Sequence, residues 1–261
     1  FFASMEVSFI FTAIFGSFLA LLAAVEFIRL RGWGLDGLSR LMIAVAGVLG
    51  ILVVGTVIQS AYLIMRGLGP TLPAAPGTPA AAPPVLTNQD IVLNLVIMGV
   101  IGAIFGVAAY GLLRALMPGS VRDVPAFDLA IMLVVFYLPA ASPLAIKLAG
   151  FDPVDYGTAG IVRSGGIFMP FLAVSIALGV WWNWRRFLVA AGIWYGIFVT
   201  LFTTVFTNGA GLASGIIGSL GYWLAQQAVQ RGSQPVYYYV LLVPLYEYLP
   251  LVVSSLAVVV Y

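Results

Sequence analysis

The sequence predicts an all-α integral membrane protein, folded as a bundle of about seven transmembrane helices. Of its 261 residues, 62% are hydrophobic and only 8% are charged, and the mean hydropathy is +1.12. A soluble domain carries about 25% charged residues, so this chain has too few polar side chains to cover a water-exposed surface. That composition excludes a soluble enzyme and a nucleic-acid-binding protein. The spans are expected to be helical because unpaired strand edges cannot lie in lipid.

Seven apolar segments are long enough to cross a bilayer core, which requires about 20 helical residues. We expect them to form a single transmembrane domain over residues 1–261. The predicted spans cover residues 7–28, 41–65, 91–116, 128–149, 165–182, 187–207 and 236–260.

Two of the loops between these spans have distinct compositions. Residues 67–90 are rich in Pro and Ala, which is typical of an extended spacer. Residues 208–235 are unusually polar for this chain. Within that second loop Leu212, Ile216 and Leu220 recur at helical spacing, which predicts a short helix lying in the membrane interface.

The positions of the basic residues predict the orientation, because cytoplasmic loops are enriched in Lys and Arg. The loops after the first, third and fifth spans carry most of them, and tryptophans beside the last group predict an aromatic anchor at the same surface. We therefore place the N-terminus outside and the C-terminus in the cytoplasm of a plasma-membrane protein. The residues concerned are Arg29, Arg31, Arg40, Arg114, Arg122, Arg185 and Arg186, with Trp181, Trp182 and Trp184.

The chain begins at Phe1 with neither an initiator Met nor a basic leader. It runs directly into an apolar stretch, which is not the pattern of a signal peptide. We expect further residues to precede Phe1 in the full protein.

The chain contains no His and no Cys. It therefore lacks the usual protein ligands for zinc, haem and iron–sulfur clusters, and it cannot form a Ser-His-Asp triad. We expect no cofactor and no metal site in this chain, and a divalent metal only with the help of residues that precede it. The sequence identifies no catalytic residue.

Two ionisable residues within apolar segments require an explanation, because charges inside a membrane are costly. Lys147 is followed by Asp152 and Asp155, and it is either one partner of an interfacial ion pair or a contact for a phosphate. Glu247 lies in the last span between two prolines. It either stabilises the bundle or lines an internal cavity. Because broken helices near the middle of the membrane are typical of transporter sites, a transporter function is a further alternative.

The C-terminal third resembles a known family. The stretches are Phe202–Asn208, Gly218–Leu224, Gln230–Tyr239 and Pro244–Pro250. Together they resemble a family of archaeal and Chloroflexus-type membrane proteins described as flippase-activity-associated, which are distant relatives of the family 39 glycosyltransferases with the GT-C fold. The resemblance extends over residues 187–250.

A weaker resemblance covers the first twenty residues. Met5 and Glu6 are similar to a Lys-Glu turn that precedes a middle span in the family, with Met5 where a Lys is usual. The chain would then correspond to the C-terminal portion of such a protein.

The resemblance implies a membrane glycosyltransferase that uses a polyprenyl-phosphate-linked sugar at the outer face, in cell-surface or protein glycosylation. In that family a catalytic Asp comes from a first outer loop that is not in this sequence. The implied partners are the lipid bilayer and the lipid-linked sugar. The candidate substrate-binding residues are Lys147 and Arg231 for the phosphate, Gln234, Tyr237 and Glu6 for the pocket wall, and Glu247.

The alternative is a non-catalytic accessory or scaffold subunit of a larger membrane complex, such as an energy-transducing one. A chain without His or Cys suits a subunit that binds no metal itself. Its small-residue faces, Gly102 with Gly106 and Gly192 with Gly196, could pack against helices of other membrane subunits.

Overall fold

The computed structural model describes residues 2–31, 35–70, 84, 86–117, 125–208, 210–226 and 252. The chain divides into two compact units, Phe1–Leu224 and Ala225–Tyr261, and nearly all described residues belong to the first unit. The predicted span 236–260 lies outside the described residues except at position 252.

Within these ranges every regular element is helical, which confirms the all-α prediction. A five-residue π-helical turn, Ser214–Gly218, separates the last two α-helices. The α-helices are α1 (Phe2–Arg31), α2 (Leu35–Met65), α3 (Asn88–Leu116), α4 (Pro125–Tyr137), α5 (Ser142–Leu148), α6 (Thr158–Phe202), α7 (Ala210–Ala213) and α8 (Ser219–Gln226).

Three described segments are long and apolar enough to cross a membrane. They are Ser39–Met65 in α2, the whole of α3 and the whole of α6. The helix pair Pro125–Tyr137 and Pro139–Leu148 meets the same criterion as one span bent by 49°, which brings the number to four. The protein is therefore embedded in a membrane.

Helix α6 is interrupted at Asn183, where φ is −164° and ψ is 104°. In an uninterrupted helix, residues eight positions apart are separated by about 12 Å along the axis. Here a Cβ atom on Gly179 would overlap the ring of Phe187, so the chain turns back after Asn183. We call residues 158–182 the first arm and residues 184–202 the second arm.

The Asn183 side chain begins the second arm. Its Oδ1 accepts a hydrogen bond from the backbone N–H of Arg186 at 3.1 Å. Extended backbone angles and acceptance of the N–H three residues on are the features of a helix N-cap. The break lies between the predicted spans 165–182 and 187–207.

The predicted span 128–149 is bent because Pro139 and Pro143 have no N–H to continue the helical ladder. The carbonyl of Val135 loses its usual donor at Pro139. It accepts the hydroxyl of Ser175 instead, at 2.5 Å, so the bend is tied to the first arm.

Helix α4 packs along both arms of α6. At its beginning, Asp128 accepts the Trp182 indole N–H at 2.6 Å and pairs with Arg186 at 2.9 Å. Further along, Phe136 stacks on Trp194 with ring centroids 5.3 Å apart. Thus α4 runs antiparallel to the first arm and parallel to the second.

Trp181 and Trp182 are buried, contrary to their expected place in a surface belt, whereas Trp184 is exposed. The physical reason is that the first arm presents both rings to α4. The Trp181 ring makes an edge contact with Phe127.

Helices α2 and α3 are antiparallel, and α3 runs parallel to the first arm. The Gln59 amide donates to the Met98 carbonyl at 2.8 Å. The small-residue face of α3 packs within the chain, because Cβ atoms on Gly102 and Gly106 would lie within 3.1 Å of Met169 and Ala173 in the first arm; these two glycines therefore do not face another subunit. Such close approach between helix backbones is the usual role of a small-residue pair in a membrane.

These directions give the first unit two ends. The Asn183 end holds the beginnings of α2 and α4, the end of α3 and the turn between the arms. The Asp155 end holds the end of α2, the beginning of α3, α5 and the loop after it, and the end of the second arm. Beyond α1, the described basic residues divide between these ends in the same way as the predicted loops: Arg40, Arg114, Arg185 and Arg186 lie at the first, and Arg66, Lys147 and Arg163 at the second.

Candidate functional site

An apolar groove of about 680 Å³ lies between α4, the second arm and the π-helical turn. Aromatic side chains recur along one face of the second arm at intervals of four residues, which places their rings on the same side of the helix. The groove is also open along exposed apolar side chains such as Ile193 and Leu201. Its aromatic lining is Phe136, Tyr137, Trp194, Tyr195, Phe198 and Phe202.

The groove occupies the parts of α4 and of the second arm that are nearer the Asp155 end. Its lining begins at Met132 on α4 and continues past the end of that helix to Ala140, and on the second arm it runs from Ala190 to Phe202. A long apolar molecule lying in it would therefore point one end towards the polar loops of the Asp155 end.

The second arm ends in a strained turn at the edge of the groove. Thr204, Val205 and Phe206 have φ values of 51°, 56° and 67°, a left-handed conformation that costs non-glycine residues roughly 1–2 kcal/mol each. Thr203, which is 3% exposed, holds the turn. Its hydroxyl donates to the Val199 carbonyl at 2.6 Å and accepts the Phe206 N–H at 2.9 Å.

The facing wall is the π-helical turn, and this turn and α7 before it pack tightly against the end of the second arm. A Cβ on Gly211 of α7 would overlap the Phe202 carbonyl, and a Cβ on Gly215 of the turn would lie 2.6 Å from the Phe202 ring. Only glycine permits this approach. Strained backbone and π-helical turns are both found frequently at functional sites, and here they occur together.

Lys147 lies beyond the end of the groove and links its two walls. Its Nζ donates to the Leu224 carbonyl of α8. Ala140 and Ser219 line the groove, and the chain continues from them into α5 and α8, so Lys147 joins the continuations of both walls. About seven helical residues, roughly 10 Å, separate Ala140 from Lys147.

The expected ion pair of Lys147 with Asp152 or Asp155 is absent from the described part of the chain. Asp155 pairs instead with Arg163 at 3.5 Å. Arg163 is 7% exposed, and its Nε donates to the Leu68 carbonyl at 2.9 Å. This arginine ties the loop after α5 to the end of α2, so its role is structural, and it leaves Lys147 without an acidic partner among the described residues.

Tyr156 also contacts the π-helical turn. Its hydroxyl lies against Gly218, where a Cβ would overlap it. Burial, and secondarily the negative charge of Asp152, raises the pKa of Tyr156 above its ordinary value of 10.0. The hydroxyl therefore remains protonated and neutral at physiological pH, and it can donate a hydrogen bond.

Among the other predicted site residues, Glu6 lies inside α1 rather than in a turn before a helix. Arg231, Gln234, Tyr237 and Glu247 lie outside the described residues. Of the predicted set, the structure therefore places only Lys147 near the groove, beyond its end and outside its lining, and the role of every member stays a prediction. Among the described residues no group of three or more acidic side chains is arranged to hold a metal ion.

The predicted short helix in the loop 208–235 corresponds to α7, the π-helical turn and α8. The aromatic lining of the groove was not predicted, although Trp194, Phe198 and Phe202 follow each other at four-residue spacing. In a chain this rich in apolar residues, that spacing does not distinguish a groove from lipid contact. Compared with known proteins, the chain matches no family model, no curated protein and no solved structure.

Proposed function

We propose that this protein binds a polyprenyl-phosphate lipid, with the hydrocarbon chain in the apolar groove and the phosphate near Lys147. The observation that carries this proposal is the groove itself: it is elongated, aromatic-lined and apolar, and it leads to the polar loops of the Asp155 end. Apolar pockets with a few convergent polar groups are the usual form of a small-molecule site. A prenyl chain would bury apolar surface along the aromatic rings, which stabilises binding by about 25 cal/mol per Å².

Lys147 supplies the charge that a phosphate requires. One of its three N–H donors is used by the Leu224 carbonyl, and the other two have no acceptor among the described residues. An ammonium group is a point charge that can bind a phosphate without the fixed geometry of a guanidinium. The phosphate would lie about two helical turns beyond the groove, at the level where lipid headgroups meet water.

The resemblance of the C-terminal third to glycosyltransferase-like membrane proteins supports a role in sugar transfer from such a lipid. The bound lipid would then carry a sugar, and the transfer would take place at the outer face of the plasma membrane. The catalytic carboxylate is expected from a loop outside this sequence.

The seven-span arrangement belongs to the same proposal. The two arms of α6 would each cross the membrane, α4 with α5 would form one bent span, and residues 236–260 would form the last. The Asp155 end would face outwards, and the Asn183 end, with its exposed arginines, would face the cytoplasm.

Filling the groove tests the proposal. Ile193 lines the groove and is 61% exposed, whereas Val189, one turn earlier on the same helix, is 65% exposed and lies outside the lining. We expect Ile193→Trp to lower the affinity for a long-chain polyprenyl phosphate about tenfold or more, and Val189→Trp to leave it unchanged. Native mass spectrometry of the detergent-purified protein with the added lipid measures both. Equal affinities of the two variants and the wild type would show that the groove does not hold the lipid.

A second candidate function is that of a non-catalytic subunit in a larger membrane complex. The observation that favours it is the face of the second arm around Gly192 and Gly196. A Cβ on either glycine would meet nothing within 4 Å in the part of the chain that the structure describes, whereas Gly102 and Gly106 on α3 are tightly packed. Purification in fixed stoichiometry with other membrane proteins, lost on Gly192→Leu, would support this role.

A further inference from the structure

The left-handed turn Thr203–Asn208 has no backbone N–H available for an anion. Each of its six N–H groups donates a hydrogen bond within the turn or to the preceding helix. The acceptors, in chain order, are the carbonyls of Val199, Leu201 and Thr200, the Thr203 hydroxyl, and the carbonyls of Thr204 and Thr203. The turn also carries no basic side chain. It is therefore unsuited to a phosphate, which requires donors or positive charge.

The groups that the turn leaves available are neutral and mainly hydrogen-bond acceptors. The carbonyls of Val205 and Phe206 accept no hydrogen bond from the described residues. The side chains of Thr204 and Asn208 are exposed and have no hydrogen-bond partner in the same part of the chain. Carbonyl oxygens, a hydroxyl and an amide suit a ligand with several hydroxyl groups, each of which donates and accepts.

The turn is placed where the polar end of a groove-bound lipid would emerge. Phe202 is both the last residue of the second arm and part of the groove lining, so the turn begins at the edge of the groove. Phe206 is highly exposed, and its ring offers an apolar surface to the C–H face of a sugar. The strain in three successive left-handed residues is retained only where the surroundings hold it, and such strain concentrates at ligand sites.

We infer that the turn Thr203–Asn208 binds the sugar of a lipid-linked sugar, through the Thr204 hydroxyl and the Asn208 amide. This inference rests on the proposed function, because the lipid chain in the groove brings the sugar to the turn.

The experiment compares two lipids, a long-chain polyprenyl phosphate and the same lipid with a hexose on its phosphate. We expect the wild type to bind the hexosyl lipid more tightly. The double variant Thr204→Val with Asn208→Ala should lose about tenfold in affinity for the hexosyl lipid, since two hydrogen bonds are removed, and nothing for the plain lipid. Native mass spectrometry measures both affinities.

Three further variants serve as controls. Thr200→Val removes a hydroxyl one turn earlier, which only donates to the Gly196 carbonyl, and it should change neither affinity. Thr204→Ser keeps the hydroxyl and should retain the preference for the hexosyl lipid. Lys147→Gln should weaken the binding of both lipids, because both carry a negatively charged phosphate, and it should not abolish the preference that the turn creates.

The outcomes separate the inference from the function on which it rests. If both lipids bind and the double variant changes their affinities equally or not at all, the turn does not recognise the sugar and the inference is wrong. If the wild type binds neither lipid, the proposed function is wrong and the inference falls with it. Val is nearly isosteric with Thr and equally branched, so Thr204→Val keeps the same backbone strain and the fold is expected to survive.

Discussion

Val205 has a backbone conformation that its own side chain disfavours. Its φ of 56° is left-handed, and β-branched residues rarely adopt that region. The side chain is 67% exposed, so no packing compensates locally. The backbone N–H of Val205 donates to the Thr200 carbonyl, and the neighbouring hydrogen bonds of Thr203 hold the turn. The strain is thus maintained by a few named contacts.

Removing that strain should stabilise the protein. We expect Val205→Gly to raise the free energy of unfolding by about 1 kcal/mol, because glycine adopts positive φ without steric cost. Val189→Gly is the matched control, since it removes an equally exposed valine from regular helix and should cost about 1 kcal/mol. Thermal unfolding in detergent measures both. If the midpoint of thermal unfolding is lower for Val205→Gly than for the wild type, the turn is not strained.

The sequence of this turn gives no sign of its conformation. Left-handed residues are usually Gly, Asn or Asp, whereas this stretch reads Thr-Val-Phe. The conformation depends instead on Thr203 and on the close approach of Gly211 and Gly215 to the end of the second arm. For the same reason the buried Arg163 could not be assigned: its partners, the Leu68 carbonyl and Asp155, are brought to it by tertiary packing.

At the scale of elements, the break in α6 is specified by a single side chain. Asn183 caps the second arm through the Arg186 N–H, and Arg186 pairs with Asp128 of α4. Asn183 therefore starts the second arm at the point where the chain turns back, and Arg186 attaches this turn to α4. This break was predictable, because Asn183, a residue type that caps helices, separates two apolar segments.

Loss of the cap should destabilise the second arm. We expect Asn183→Ala to lower the free energy of unfolding by about 1 kcal/mol, and Asn183→Asp to preserve it, because Asp accepts the same hydrogen bond. Asn88→Ala is the control: Asn88 is exposed at the beginning of α3, where Thr87 is the cap. The midpoints of thermal unfolding in detergent compare these three variants with the wild type. Equal effects of the two alanine substitutions would show that Asn183 does not act as a cap.

The groove belongs to neither helix alone. Its walls come from α4, the second arm and the π-helical turn, which are separated by long stretches of sequence. The helical class and the existence of apolar segments could be predicted from composition and hydropathy. The groove could not, because Phe136 and Trp194 meet only after α6 turns back at Asn183 and α4 packs along both arms.

For the whole molecule, the turn at Asn183 decides how many times the chain crosses the membrane. If both arms cross, residues on either side of α6 emerge on one face and the turn emerges on the other. If α6 crosses once, its two ends emerge on opposite faces. Residues 1–261 contain no Cys, so each single cysteine introduced among them is a label at a known position.

We therefore expect Leu148→Cys and Thr207→Cys to react with a membrane-impermeant thiol reagent from the outside of intact cells, and Arg185→Cys only after the membrane is permeabilised. Leu148 and Arg185 are both exposed, so accessibility within the protein does not limit either reaction. The physical reason is the packing of α4, which runs antiparallel to one arm and parallel to the other and so requires the arms to run in opposite directions. Labelling of Leu148→Cys and Thr207→Cys from opposite sides would contradict the seven-span arrangement. If Arg185→Cys reacts from the outside, and Leu148→Cys and Thr207→Cys react only after permeabilisation, the seven-span arrangement is retained. The Asp155 end of the protein would then lie in the cytoplasm.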